Sequence, residues 1–159
     1  MKKVFKLSML ALVLIASVGI LQSCSKDNDE ETSSSDKPAI EALIQSYQEA
    51  LNASDANKVV ALYTTNGVLM ANAAPTAEGA AAVKATYQYV FENFTYTLQF
   101  TVLEIVVNGN TAFARSTSKG SFVMKANGQT IPDENRELFV FEKVDGQWKI
   151  ARYMYNKTQ

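Results

Sequence analysis

The reactive side chains in this sequence form a narrow set. Its 159 residues include no histidine. That excludes imidazole acids and bases, histidine-assisted nucleophiles and histidine-ligated zinc. Proton chemistry is left to seven tyrosines, the lysines and arginines, and 16 carboxylates. The single cysteine, Cys24, rules out an internal disulfide. Asp133 and Glu134 follow Pro132 in a stretch that reads as a bend. Two adjacent acids without further ligands make a poor metal site, and neither a metal nor another cofactor is expected. Lys84, Arg115 and Arg136 stand alone and read as solvated cations.

Charge sets aside one partner class. The net charge is −1 overall. Without Lys2, Lys3 and Lys6, the remainder carries 12 basic and 16 acidic residues, a net of −4. Such a domain lacks the basic footprint that nucleic acid requires, and no nucleic-acid partner is expected.

The amino terminus carries an address. A basic stretch, residues 1–6, precedes an apolar run over 7–21 that is short for a membrane span. The run ends at Leu21-Gln22-Ser23-Cys24, which resembles the lipobox of bacterial lipoproteins, with Gln22 a looser fit. The resemblance implies a signal peptide over 1–23, acylation of the Cys24 thiol and a membrane anchor there. Ser25 in place of Asp favours the outer membrane, with the domain periplasmic or surface-exposed. Residues 24–37 then read as the lipidated cysteine and a disordered acidic tether, since residues 25–37 contain nothing apolar to bury. The acids near Cys24 also look like a surface-export signal; spacer and signal both stand as readings.

The elements that would position a site begin at Pro38, and one domain is expected over 38–159. Ile40, Leu43, Ile44, Tyr47, Ala50 and Leu51 recur at helical spacing. Ser54-Asp55 caps a second helix carrying Val59, Val60, Leu62 and Tyr63. Asn66-Gly67 turns into a short strand over 68–71, and a third helix carries Val83, Tyr87, Val90 and Phe91. From Phe94 onward, Asn108-Gly109, Asn127-Gly128 and Asp145-Gly146 separate four long antiparallel strands. The expected fold is α+β: three helices on a strongly curved sheet, with a cone-shaped cavity where filling is incomplete.

A two-residue loop at Asp145-Gly146 registers the last hairpin. It puts Glu137, Phe139, Phe141, Trp148, Ile150, Arg152 and Met154 on the inner face. Leu138, Val140, Ala151, Tyr153 and Tyr155 fall outside, a face apolar enough to suggest a homodimer. The hairpin at Asn127-Gly128 turns Ala112, Ala114, Ser116 and Ser118 inward, unless Pro132 introduces a bulge.

Three stretches carry a family likeness: residues 44–55 (Ile-Gln-Ser-Tyr-Gln-Glu-Ala-Leu-Asn-Ala-Ser-Asp), Val60-Ala61-Leu62-Tyr63 with Glu78-Gly79, and the close from Phe139 to Ile150. Together they resemble the NTF2-like superfamily, in its SnoaL-like and DUF4440 branches. The resemblance implies a cone-shaped α+β barrel, commonly dimeric, whose pocket serves isomerases, cyclases, dehydratases and many non-enzymes. In the ketosteroid isomerase pattern, an Asp base works with a Tyr and a protonated Asp as oxyanion donors. The tyrosine falls on Tyr47 and the oxyanion acid on Glu137, but the base falls on Ala71, whose methyl group takes no proton. The dehydratase pattern needs histidine, and the epoxide-hydrolase pattern needs an Arg-x-Asp pair where Arg115 is followed by Thr117.

The expected role is therefore the binding of a small apolar or carbonyl-bearing molecule. The expected lining is Tyr47, Tyr63, Met70, Phe91, Ser116, Glu137, Phe139, Arg152 and Met154. Two alternatives are an isomerase- or cyclase-like enzyme using Tyr47 and Glu137, and an interaction module working through the outer sheet face. A simpler arrangement pairs Glu137 with Arg152 and leaves Tyr47 as core.

Overall fold

The computed structural model describes residues 28–158, with side chains from Asp36 onward. The signal segment, Cys24 and the first tether residues lie outside the described residues. Helix α1 runs Asn28–Asn52, α2 Ala56–Ala61 and α3 Gly79–Asn93. The strands are β1 Tyr63–Met70, β2 Ala77–Glu78, β3 Phe94–Asn108, β4 Thr111–Met124, β5 Thr130–Val144 and β6 Gln147–Lys157. They form one sheet in the order β2-β1-β6-β5-β4-β3. No helix among the described residues is long and apolar enough to cross a membrane.

The four long strands pair antiparallel through the three expected hairpins. Gly109, Gly128, Asp145 and Gly146 take the positive φ that tight turns need. The sheet is not wholly antiparallel, because β1 joins β6 in parallel. The second helix ends earlier than its apolar pattern suggested: Tyr63 opens β1, and Asn66-Gly67 lies within that strand. A side chain at Gly67 would press on the Tyr63 ring, so the strand's irregular stretch needs glycine there.

Two expectations about the ends of the domain are corrected. Helix α1 starts at Asn28, ten residues ahead of Pro38, so residues 28–37 are helical and not a disordered tether. Asp36 supplies a physical reason. It is buried, accepts from Lys143 Nζ at 2.8 Å and Trp148 Nε1 at 3.0 Å, and fastens the helix to the last hairpin. Pro132 does not upset the register, since β4 and β5 pair without a break from Thr111↔Glu142 to Val123↔Thr130. Strand β6 has already ended opposite Asn135, so Pro132 sits where β5 has lost one neighbour and a missing donor costs little.

The helices cover the concave side. Helix α1 packs on β3, the sheet's edge strand, and α3 packs on β1. Asn52 bonds both the N–H and the carbonyl of Leu98 (2.9 and 2.8 Å), and Gln48 Oε1 accepts from the Phe100 N–H at 2.7 Å. Helix amides thus satisfy backbone groups that an open edge would leave for another strand. A bulge between Val102 and Glu104 bends β3. At Gly120 any side chain would collide with the Thr97 carbonyl, so β4 approaches β3 there as only glycine allows.

Candidate functional site

The inner faces of β4 and β5 are in register, and their chemistry changes midway. Ala112↔Phe141 and Ala114↔Phe139 are followed by Ser116↔Glu137 and Ser118↔Asn135. All eight side chains are buried. Around the polar half the interior holds a cavity of about 310 Å³. Leu51, Leu69, Val90, Leu98, Phe100 and Phe122 give it greasy walls, and Tyr47, Tyr87, Tyr153, Glu137, Asn135 and Asp133 supply polar groups. The volume falls at the small end of the ~300–1,000 Å³ typical of ligand pockets.

A chain of phenols runs into this space. Tyr63 and Tyr87 hydroxyls are 3.1 Å apart, and Tyr87 and Tyr47 hydroxyls 2.7 Å. Burial holds all three well above the usual tyrosine range, so they remain protonated. Each phenol has one proton. The chain can run either way: with Tyr63 donating to Tyr87 and Tyr87 to Tyr47 the Tyr47 proton is left over, in the reverse order that of Tyr63, and of these two Tyr47 lines the cavity. The Tyr47 ring is gripped edge-on by Phe100, Phe139 and Tyr153, with centroids 5.2–5.7 Å away.

Glu137 is the acid of the site. Burial pushes its carboxyl from an ordinary 4.5 up to about 7; hydroxyls of Ser118, Tyr153 and Ser116 partly offset this, and the Asp133 charge adds to it. Ser116 Oγ donates to Glu137 Oε2 at 3.4 Å. Among the described residues no cation pairs with Glu137. Further along β5, Asn135 Nδ2 donates to Ser118 Oγ (3.2 Å) and Asp133 Oδ2 (3.1 Å). Lys157 Nζ, 2.9 Å from Asp133 Oδ1, makes an ion pair without the geometry of a directed hydrogen bond.

Of the expected lining residues, Tyr47 and Glu137 meet at the cavity. Tyr63, Phe91, Ser116 and Phe139 are buried close behind its wall. Tyr63 feeds Tyr87, Phe91 packs on the Tyr87 ring, Ser116 donates to Glu137, and Phe139 stacks on Tyr153 at 4.2 Å. Met70, Arg152 and Met154 lie away from the cavity: on β1 it is Leu69, the neighbour of Met70, that lines it, and on β6 a bulge turns the other two. Beyond Phe141↔Ile150 the register slips, giving Val140↔Arg152 and Phe139↔Tyr153, so the extra residue Ala151 reverses the faces of β6. Arg152 and Met154 turn outward; Tyr153 is buried and Tyr155 half-buried, and both line the cavity. The Glu137–Arg152 pair is therefore not formed, and Arg152 Nη1 donates to the carbonyls of Ala151 (2.7 Å) and Asn66 (3.3 Å).

Sequence reasoning missed Asp133, Asn135, Tyr87 and Tyr153 as site residues. Counting back in twos from Glu137 along β5 finds Asn135 and Asp133. For Tyr153 the signal was a charged Arg152 at a position assigned to the interior.

The SnoaL-like domain family matches residues 44–153. A ketosteroid isomerase-like protein from Erwinia carotovora atroseptica is 34% identical, covering 78% of this chain and 97% of its own, with a TM-score of 0.75. A protein from Novosphingobium aromaticivorans, provisionally assigned as an aromatic ring hydroxylase, is 22% identical over 79% of this chain and 90% of its own, with a TM-score of 0.70. An NTF2-like protein with a cystatin-like fold, also from Novosphingobium aromaticivorans, is 21% identical over 79% and 83%, with a TM-score of 0.64. The last two likenesses concern the fold alone. No curated protein matches the chain. With two thirds of its length matched, the chain belongs to the SnoaL-like domain family, and its six-stranded curved sheet and three helices make an NTF2-like fold.

Proposed function

We propose that this protein is a lipid-anchored outer-membrane binder whose SnoaL-like domain holds a small, mostly apolar molecule by a carbonyl group. One observation carries the reading: Glu137, raised to about 7 and without a cation partner among the described residues, shares a greasy cavity with the Tyr47 hydroxyl. Near neutral pH a protonated Glu137 and the Tyr47 phenol are both donors, and a carbonyl oxygen is the acceptor they suit. Native mass spectrometry of the full-length protein, extracted from its own membranes, tests this. A co-purifying carbonyl compound is expected. Protein that arrives empty and stays empty against a panel of ketones refutes the reading. The anchor has its own test: a Cys24→Ser variant leaves the membrane fraction, and unchanged retention contradicts lipidation.

The second reading is an isomerase- or cyclase-like enzyme, favoured by the same near-neutral acid. Ala71 lines the cavity where the isomerase pattern needs its base, which ranks catalysis behind binding. Exchange of α-protons of a bound ketone into deuterated water, lost in Glu137→Gln, would promote it. A homodimer through the outer sheet face is also proposed. Val106, Phe113 and Leu138 support it, being apolar, exposed and close together across β3, β4 and β5. Sedimentation of the full-length protein as a monomer at micromolar concentration would exclude it.

A further inference from the structure

Beyond Glu137 the polar lining of the cavity continues along β5 to Asn135 and Asp133. Among the described residues, two buried side-chain polar atoms lack a hydrogen-bond partner: Asn135 Oδ1 and Asp133 Oδ1. Both are acceptors, both belong to cavity-lining residues, and both sit on the inner face of β5. Asp133 Oδ1 has the Lys157 ammonium 2.9 Å away, so Asn135 Oδ1 is the acceptor left to explain, and such orphans are rare in native proteins.

The orientation of Asn135 follows from its neighbours. One end of its amide contacts both Ser118 Oγ and Asp133 Oδ2. An ionised carboxylate only accepts, so the end facing it is the amide nitrogen and the oxygen is the end left over. The side chain is 2% exposed, so bulk water does not serve it. Asp133 already faces the Lys157 ammonium, so a neutral donor fits beside it better than a second cation.

We propose that Asn135, backed by Asp133, is a hydroxyl-binding subsite, and that the ligand carries a hydroxyl group as well as a carbonyl. The proposal rests on the carbonyl pocket described above and deepens it. Successive inward residues of a strand are about 7 Å apart, which sets the spacing between the ligand's two oxygens. A para-hydroxyphenyl ketone has close to this spacing, and an alkyl tail on its carbonyl reaches the greasy wall.

Hexanophenone, its para-hydroxy derivative and its para-methoxy derivative test the subsite by calorimetric titration of the full-length protein. The hydroxy ketone should bind about tenfold more tightly than the other two, as expected when a buried orphan acceptor gains a donor. The methoxy group fills the same space but donates nothing. In Asn135→Leu the tenfold advantage of the hydroxy ketone over the methoxy ketone should vanish. Asn135→Ala serves the same purpose if leucine disturbs folding. Equal binding of hydroxy and methoxy ketones to the wild type overturns the subsite alone, as does an advantage that survives both substitutions. If none of the three ketones binds, the carbonyl pocket fails and the subsite with it.

Discussion

Strands β4 and β5 run through two different interiors without changing direction. Toward the Asp145-Gly146 turn, Phe141 and Phe139 face Ala112 and Ala114, and Ile40, Ile44, Val59, Val83 and Ile150 fill the space with side chains 2% exposed or less. Small residues opposite large ones let the two strands share one layer of core. Toward the Asn127-Gly128 turn, the same alternation presents Ser116 and Ser118 against Glu137 and Asn135, and the space in front stays open. The packed half stabilises the fold, and the open half spends some of that stability on polar groups held out of water. A site is thus made by changing residue types along a face whose geometry the packed half has already fixed.

Substitutions across the boundary should separate the halves. The largest effect is expected at Phe139, which is fully buried, stacks on Tyr153 and sits parallel to Phe141 at 5.8 Å. Phe139→Ala should cost about 3–5 kcal/mol in denaturant unfolding, the range for a large aromatic replaced by a cavity. A cost below about 1 kcal/mol would mean that the two halves are not distinct. Two residues away, Glu137→Gln should act in the opposite direction, and only at higher pH. The folded Glu137 carboxyl is raised from 4.5 to about 7, so the native state holds a proton that the unfolded chain releases. The contribution of this group to wild-type stability is then greatest below about pH 4.5 and falls by about 3 kcal/mol as pH rises through about 7. The glutamine variant lacks this loss and should be the more stable protein at pH 8. Parallel pH–stability curves for the two proteins would show that Glu137 is not desolvated.

The packed half was the more legible in the sequence, and its physics explains why. Helical spacing over Ile40–Leu51, the three turn dipeptides and strict alternation in β4 each follow from local rules, and the structure keeps them. The open half was legible at Tyr47 and Glu137 through family likeness. It was lost at Tyr153 because one extra residue, Ala151, inverts every later side chain on β6. No turn signal marks such a bulge. Its trace was a conflict: alternation through Ile150 placed the Arg152 charge inside, and burying a guanidinium is costly even with Glu137 offered as its partner. Asp133 was misplaced for a different reason. Pro132 suggested a bend, whereas it occupies a stretch of β5 that β6 does not reach.

The end of the packed half gives a smaller effect. Asp36 closes it by bonding Lys143 and Trp148, which are cross-strand partners beside the last turn. The hydrogen bond from Lys143 and then that from Trp148 hold the Asp36 carboxyl below the usual range, against a desolvation that raises it. Its contribution is present above the ordinary aspartate range and is lost as pH falls through the lowered value. Asp36→Ala should cost about 2 kcal/mol at pH 7, since it leaves behind the buried Trp148 N–H and the half-buried Lys143 ammonium. Limited proteolysis should then cut residues 28–37 faster, with the cavity's ligand affinity unchanged. A change in that affinity would show that the two halves communicate.

The finest test of the boundary removes one oxygen. Tyr47 belongs to both halves: its ring packs on Phe139, and its hydroxyl ends the phenol chain at the cavity. Tyr47→Phe keeps the ring, so the packed half should lose little stability. It removes the hydrogen bond between Tyr47 and Tyr87, at a net cost of about 1 kcal/mol. Ketone affinity should fall about fivefold to tenfold at pH 6, where Glu137 still donates. It should fall further at pH 8, where Glu137 is ionised and Tyr47 is left as the main donor to the carbonyl. A loss of the same size at both pH values would mean that the acid and the phenol do not serve one ligand atom, and would place the carbonyl elsewhere in the cavity.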